Sequence, residues 1–128
     1  MNAQTVTLLT TLGIEIVDER KDRVVARMPV GPKVHQPYGI LHGGASVALA
    51  ETAASYAGTL NVDLNKDAVV GLEINANHIR AKKDGMLTAV ATPAHIGRRT
   101  QVWEVRITDE ADKLVCVSRC TLAVVPRE

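Results

Sequence analysis

Phenylalanine is absent from this 128-residue chain, and one Trp and two Tyr complete its aromatic complement. Single-stranded nucleic acid is usually held on successive aromatic faces, so that kind of platform is excluded. An excess of charge of one sign is missing too. Fifteen Lys and Arg stand against fourteen Asp and Glu, for a formal net charge of +1, which gives no field for drawing in nucleic acid. No apolar run approaches the roughly 20 residues of a membrane span, and no membrane partner is expected. The opening residues, MNAQTVTLLTTLGIEI, have neither the basic region nor the small-residue cleavage site of a secretory signal. A cytoplasmic location is therefore expected. Cysteine is scarce: Cys116 and Cys120 fall in the run LVCVSRC, four apart on one face of a strand and about 13 Å from each other. That is too far for a disulfide, and no His or carboxylate stands at ligand spacing to them, so buried free thiols and no metal are expected.

What is present is a globular composition, 46% hydrophobic and 23% charged, on a length that suits one domain, residues 1–128. Residues 5–12 read as a short helix with Val6, Leu9 and Leu12 inward, stopped by Gly13. Residues 14–19 and 23–30 read as strands joined by a charged turn. The segment 31–44, GPKVHQPYGILHGG, fits neither helical nor strand period and reads as a long structured loop, a common place for function. Four strand-like segments follow a central helix, at about 68–81, 85–96, 100–109 and 113–125, with separators short enough for hairpins. Alternation is clearest in QVWEVRITD, where Trp103, Val105 and Ile107 share one face. The sum is an α+β fold: a curved antiparallel sheet of five to six strands around one central helix.

That helix, His42 to Gly58, reads HGGASVALAETAASYAG. Its helical neighbours three, four and seven positions from Glu51 are all uncharged. A helix apolar all round is normally buried, and an ionised carboxylate there needs compensation. Glu51 is thus the leading candidate for chemistry, the alternative being a Glu that reaches solvent past small neighbours. Gly43 and Gly44 open the helix, where unpaired N–H groups and the dipole favour negative charge. They either receive an oxyanion or only make a tight entry. His42 is a base or a partner for nearby backbone or Gln36; Ser55, one turn beyond Glu51, holds water or fills space. Arg98 and Arg99 lie in one turn and Arg80, Lys82 and Lys83 near another, as phosphate contacts or as solvated charge. His78 and His95 either touch a nucleotide or sit inside with a satisfied partner, the latter expected for His95.

The runs HQPYGILHGGASVALAETAAS, VVGLEINANHIR and HIGRRTQVWEVRI resemble the hotdog-fold acyl-CoA thioesterases. The likeness is to the bacterial group that hydrolyses aromatic acyl-CoA, such as 1,4-dihydroxy-2-naphthoyl-CoA, and to relatives that clear misloaded aryl carrier protein. The resemblance implies Glu51 as general base or nucleophile, the Gly43 N–H polarising the thioester carbonyl, Gln36 and His42 beside that carbonyl, and Ser55 positioning water. It implies coenzyme A contacts at Val70, at Asn77, His78, Ile79 and Arg80, and at Ala94, His95, Ile96, Gly97, Arg98 and Arg99. No cofactor is implied, coenzyme A being part of the substrate. The site would span a homodimer, with Gln36, His42 and Gly43 from one subunit and Glu51 and Ser55 from the other, in a homotetramer. Helix rise puts Glu51 too far from Gly43 of its own helix to share a carbonyl, which independently asks for a second copy. A dehydratase on the same fold, or a non-catalytic acyl-CoA or carrier-protein binding module, would use the same helix. The spacing from HGG to Glu51 fits hydrolysis better.

Overall fold

A computed structural model describes residues 5–128. A short helix α1, Leu8–Leu12, ends at Gly13, whose positive φ of 76° is the left-handed stop that glycine supplies without strain. Two strands follow, β1 (Glu15–Arg20) and β2 (Arg23–Val30), then the segment leading to helix α2 (Gly43–Thr59), then β3 (Asp67–His78), β4 (Gly85–Ile96), β5 (Thr100–Thr108) and β6 (Leu114–Pro126). All six strands form one antiparallel sheet in the order β1-β2-β4-β5-β6-β3. The expected α+β architecture is present, and the loop between β2 and α2 carries a single 3-10 turn, Pro32–Val34.

One expected connection is different. The separator between β3 and β4 does not close a hairpin: β3 crosses to the far edge and pairs with β6, while β4 pairs with β2 and β5. Hydrogen bonds away from the sheet fix the crossover, because Leu41 N–H donates to the Lys82 carbonyl and the His35 ring meets the Lys83 carbonyl at 2.7 Å. β3 also ends at His78, so Ile79, Arg80 and Ala81 belong to that connection rather than to a strand.

Helix α2 lies on one face of the sheet and buries Leu49, Ala50, Ala53, Ala54 and Ala57 completely. Its small side chains let the sheet come close. At Gly58 an added Cβ would strike Leu122 and lie 2.8 Å from Gln101 Oε1. Gln101 is itself fully buried, donates to the Gly58 carbonyl at 3.3 Å and accepts from the Trp103 indole N–H at 2.8 Å. The end of the helix is thereby tied to β5 through one satisfied polar chain. Asn61 closes the same end, its amide donating to the carbonyls of Ala57 and Lys21 at 2.9 and 2.7 Å.

Trp103, Val105 and Ile107 are buried and Glu104 and Arg106 exposed, as the alternation of β5 requires. Cys116 and Cys120 are buried free thiols in β6, and burial pushes both above the usual thiol range, Cys120 to about 11. Two expectations need correction. Val6 is 83% exposed, and only Leu9 and Leu12 of the first helical segment pack on the core. α2, though apolar all round in sequence, is enclosed on one side only: Ala48, Glu51, Thr52 and Ser55 are half-buried and Tyr56 is exposed. The sheet does not close over that flank.

Candidate active site

Glu51 is half-buried on the open flank of α2, and its carboxylate lies over the sheet at Gly71. A Cβ added there would be 2.5 Å from Glu51 Oε2. The strand is bulged at this point: Gly71 faces Leu122 and Glu73 faces Thr121, leaving Leu72 as the extra residue. Glu51 borders a cavity of about 400 Å³ together with Ser55, Thr52, Val69 and two residues of α1, Leu8 and Leu9. Its charge reaches into the core, since after burial itself Glu51 is the next influence holding the Cys120 thiol protonated. Glu51 and Ser55 therefore border the same cavity.

Gly43 lies elsewhere. With Gln36, Ser46, His78 and Arg80 it borders a second cavity of about 330 Å³. The imidazole of His78 packs on its Cα so tightly that a Cβ there would be 2.8 Å from His78 Nε2. Gln36 is tied into the loop by accepting from the Tyr38 N–H, which leaves its amide NH2 group for other partners. His42 caps the helix: its Nδ1 accepts from the Gly44 N–H at 2.8 Å, so in the neutral ring the proton sits on Nε2. That bond commits one ring nitrogen to backbone. His42 borders a third cavity, of about 290 Å³, rather than the one with Gln36 and Gly43.

The residues expected at coenzyme A are also divided. His78, Ile79 and Arg80 border the Gly43 cavity, while Asn77 points to a separate hollow with Glu104 and Arg119. Val70 is 48% exposed near the opposite end of β3. Ala94, His95, Ile96, Arg98 and Arg99 are exposed around the β4–β5 turn, Gly97 less so. That turn belongs with the Val70 end of β3, because the Arg99 carbonyl accepts from Val124 N–H and Val124 pairs with Val69. From Val70 to Arg80 the chain extends roughly 30 Å. His95 corrects the expectation of an interior histidine: it is exposed, with its ring over Gly97 at the β4 bulge. Lys82 is not free charge. Its Nζ meets Glu110 at 2.6 Å. Among the described residues no group of three His, Cys, Asp or Glu could hold a metal, and no helix is long and apolar enough to cross a membrane.

Residues 38–116 match the family model described as the thioesterase superfamily. The chain belongs to that superfamily. The thioesterase is 54% identical over 117 residues to the 1,4-dihydroxy-2-naphthoyl-CoA hydrolase of Listeria monocytogenes, covering 91% of this chain and 94% of the relative. It is 47% identical over 126 residues to the proofreading thioesterase EntH of Cronobacter turicensis, covering 98% and 91%. A crystal structure of a Haemophilus influenzae thioesterase superposes with a TM-score of 0.89 at 50% identity, over 94% of this chain and 83% of that one. One long helix, α2, on a six-stranded antiparallel sheet is the hotdog fold, and the protein is a thioester hydrolase.

Two features of this thioesterase's site escaped the sequence reading. Gly71 lies within VVGLEINANHIR, and nothing local in that run marks it as the floor beneath Glu51; an isolated glycine inside a strand pattern is the available signal for a bulge or a close approach. Leu9 reads only as an inward residue of the first helix and Leu8 has no assigned role; their place beside Glu51 depends on how α1 folds back over α2, which no local pattern encodes.

Proposed function

We propose that this thioesterase hydrolyses aromatic acyl-CoA, of the dihydroxynaphthoyl or hydroxybenzoyl kind, in a homodimer whose sites each draw on both subunits. The carrying observation is the division of the site. Gly43 and Glu51 border different cavities of the same chain, about 12 Å apart along the helix. The coenzyme A segments are split in the same sense between the two ends of β3. β3 is an edge strand with Val70 and Leu72 exposed. A two-fold axis beside it would pair it antiparallel with its own copy and bring one subunit's Gly43 end over the other's Glu51 end. Two such dimers would make the homotetramer.

In that assembly the thioester carbonyl accepts from the Gly43 N–H at the positive end of α2, and Gln36 stands beside it. The Glu51 carboxylate either takes a proton from an attacking water held near Ser55 or adds to the carbonyl carbon itself. The carbon–sulfur bond breaks, the thiol of coenzyme A leaves, and water supplies the oxygen and protons of the products. Arg80, Arg98 and Arg99 meet the phosphates, and no cofactor takes part. The location proposed is the cytoplasm. The likeness to a proofreading thioesterase favours one alternative, the same hydrolysis of an aryl group carried on a protein instead of coenzyme A.

The test is Glu51→Gln and Glu51→Ala with benzoyl-CoA and naphthoyl-CoA. Both changes should abolish turnover, and wild-type rates in either would refute the assignment. Sharing of the site is read by complementation. Glu51→Gln mixed with an inactive variant blocked at Gly43 should regain about a quarter of wild-type activity by random reassortment. No regain places the whole site in one chain.

A further inference from the structure

Helix α1 borders the cavity that holds Glu51, and one of its residues stands between that cavity and the next. Leu8 borders the Glu51 cavity of about 400 Å³ and also the neighbouring one of about 290 Å³ beside His42. Only Ala48, directly across on α2, is shared with it. Ala48 is already minimal, so the side chain that can vary in size at this junction is that of Leu8. Leu9 and Leu12 anchor α1 on the core, and the Ile14 N–H donates to the Leu9 carbonyl at 2.8 Å, which fixes the helix in place. Leu8 itself remains 56% exposed, so it carries little of the core while standing at the partition.

We propose that Leu8 determines which acyl groups this thioesterase accepts, by ending the acyl cavity against Ala48. This rests on the reading of Glu51 as the catalytic carboxylate, since the acyl group must then lie in the Glu51 cavity. With leucine in place the space suits a compact, flat acyl group such as one or two fused rings. Without it the cavity continues toward His42 and admits an extended aliphatic chain. Beyond Leu8 the lining is largely apolar or small, with Leu12, Val34, Gly44 and Ala45 beside His35 and His42, and Lys33 is the one residue there with a fixed charge. The Gly43 cavity, with His78 and Arg80, does not include Leu8, so handling of the coenzyme A portion is independent of it.

The experiment compares wild type, Leu8→Ala, Leu8→Met and Leu8→Trp on benzoyl-CoA, naphthoyl-CoA and decanoyl-CoA, with inhibition by free coenzyme A and the thermal midpoint as controls. Leu8→Ala should raise kcat/KM for decanoyl-CoA relative to benzoyl-CoA by about ten-fold or more, and Leu8→Trp should lower naphthoyl-CoA relative to benzoyl-CoA by a similar factor, the scale hydrophobic pockets deliver. Leu8→Met, close in volume, should keep the wild-type order, and coenzyme A inhibition should stay constant throughout. Unchanged ratios overturn the proposal, as does a loss that falls on all three substrates alike. If Glu51→Gln is inactive and the ratios do not move, only the role of Leu8 falls. If Glu51→Gln hydrolyses benzoyl-CoA normally, the site reading falls and this inference with it.

Discussion

Glu51 rests on Gly71: the carboxylate oxygen Oε2 occupies space that a single added methyl at Gly71 would contest at 2.5 Å. A side chain on helix α2 is thus aimed by the absence of one on strand β3. Gly71→Ala should therefore push the Glu51 carboxylate off its position while leaving the sheet paired, because the clash is with the flexible end of a side chain and not with backbone. A displacement of about 1 Å at a catalytic group can lower turnover about 100-fold. The expected result is a fall of that order in kcat for benzoyl-CoA with little change in thermal midpoint. A variant with normal kcat would show that Glu51 does not need this seat.

The seat also shows what local pattern can and cannot reveal. The central helix, the alternation in β5, the buried thiols of β6 and the candidacy of Glu51 follow from period and composition, because each depends on neighbours close in sequence. The position of β3 does not. Its partners in β6 lie 38 to 59 residues later, from His78↔Cys116 to Asp67↔Pro126, and the short separator Lys82-Lys83-Asp84 suits a hairpin that tertiary packing forbids, since β4 is already held between β2 and β5. The open flank of α2 is partly legible: Glu51, Thr52, Ser55 and Thr59 are polar on the side left uncovered, while Leu49, Ala50, Ala53 and Ala57 on the buried side are apolar. Ala48 carries no such sign, and how much of that side is covered depends on the extent of the sheet.

Gly43 and His78 are coupled by contact. Gly43→Ala would place its methyl 2.8 Å from His78 Nε2, and either the ring or the helix start must shift. With Gly43 as the proposed oxyanion donor, which works only at the right distance, kcat should fall about ten- to hundred-fold. Removing the ring relieves the conflict, so Gly43→Ala with His78→Ala should be faster than Gly43→Ala alone. Coupled neighbours typically show about 0.5–3 kcal/mol of interaction in such cycles. Strict additivity in kcat/KM would mean that the ring yields freely and the contact restrains nothing.

Gln101 joins the helix end to the indole of Trp103 inside the core. Gln101→Leu removes an acceptor and a donor together and strands the Trp103 N–H, which has zero exposure in its surroundings. An unsatisfied buried donor costs about 1–3 kcal/mol, and at this chain length each kcal/mol moves the midpoint by about 3–6 °C. Thermal unfolding at fixed protein concentration should show a drop in that range. Trp103→Phe in the Gln101→Leu background should then cost less than in wild type, since the stranded N–H is gone; an equal cost would dissolve the link.

Glu110 pins the β3–β4 crossover to the β5–β6 turn. It meets Lys82 Nζ at 2.6 Å and accepts from the Met86 N–H at 2.9 Å. The Lys82 hydrogen bond, followed by backbone N–H donors, lowers its carboxyl from the ordinary 4.5 to about 2. Asp109 next to it is lowered as well, first by the Lys113 N–H. A carboxyl whose value is depressed by folding binds its proton more readily in the unfolded chain. Its contribution is complete above pH 4.5 and is lost as pH falls from there toward 2. Glu110→Gln lacks that contribution at every pH. The difference in unfolding midpoint between wild type and Glu110→Gln should accordingly be constant at neutral pH and shrink steadily below pH 4.5. Other carboxylates titrate in both proteins and cancel in the difference. A gap that stays constant down to pH 2 would mean that the clamp does not depend on the Glu110 charge, and a gap that widens on acidification would reverse the sign of the linkage.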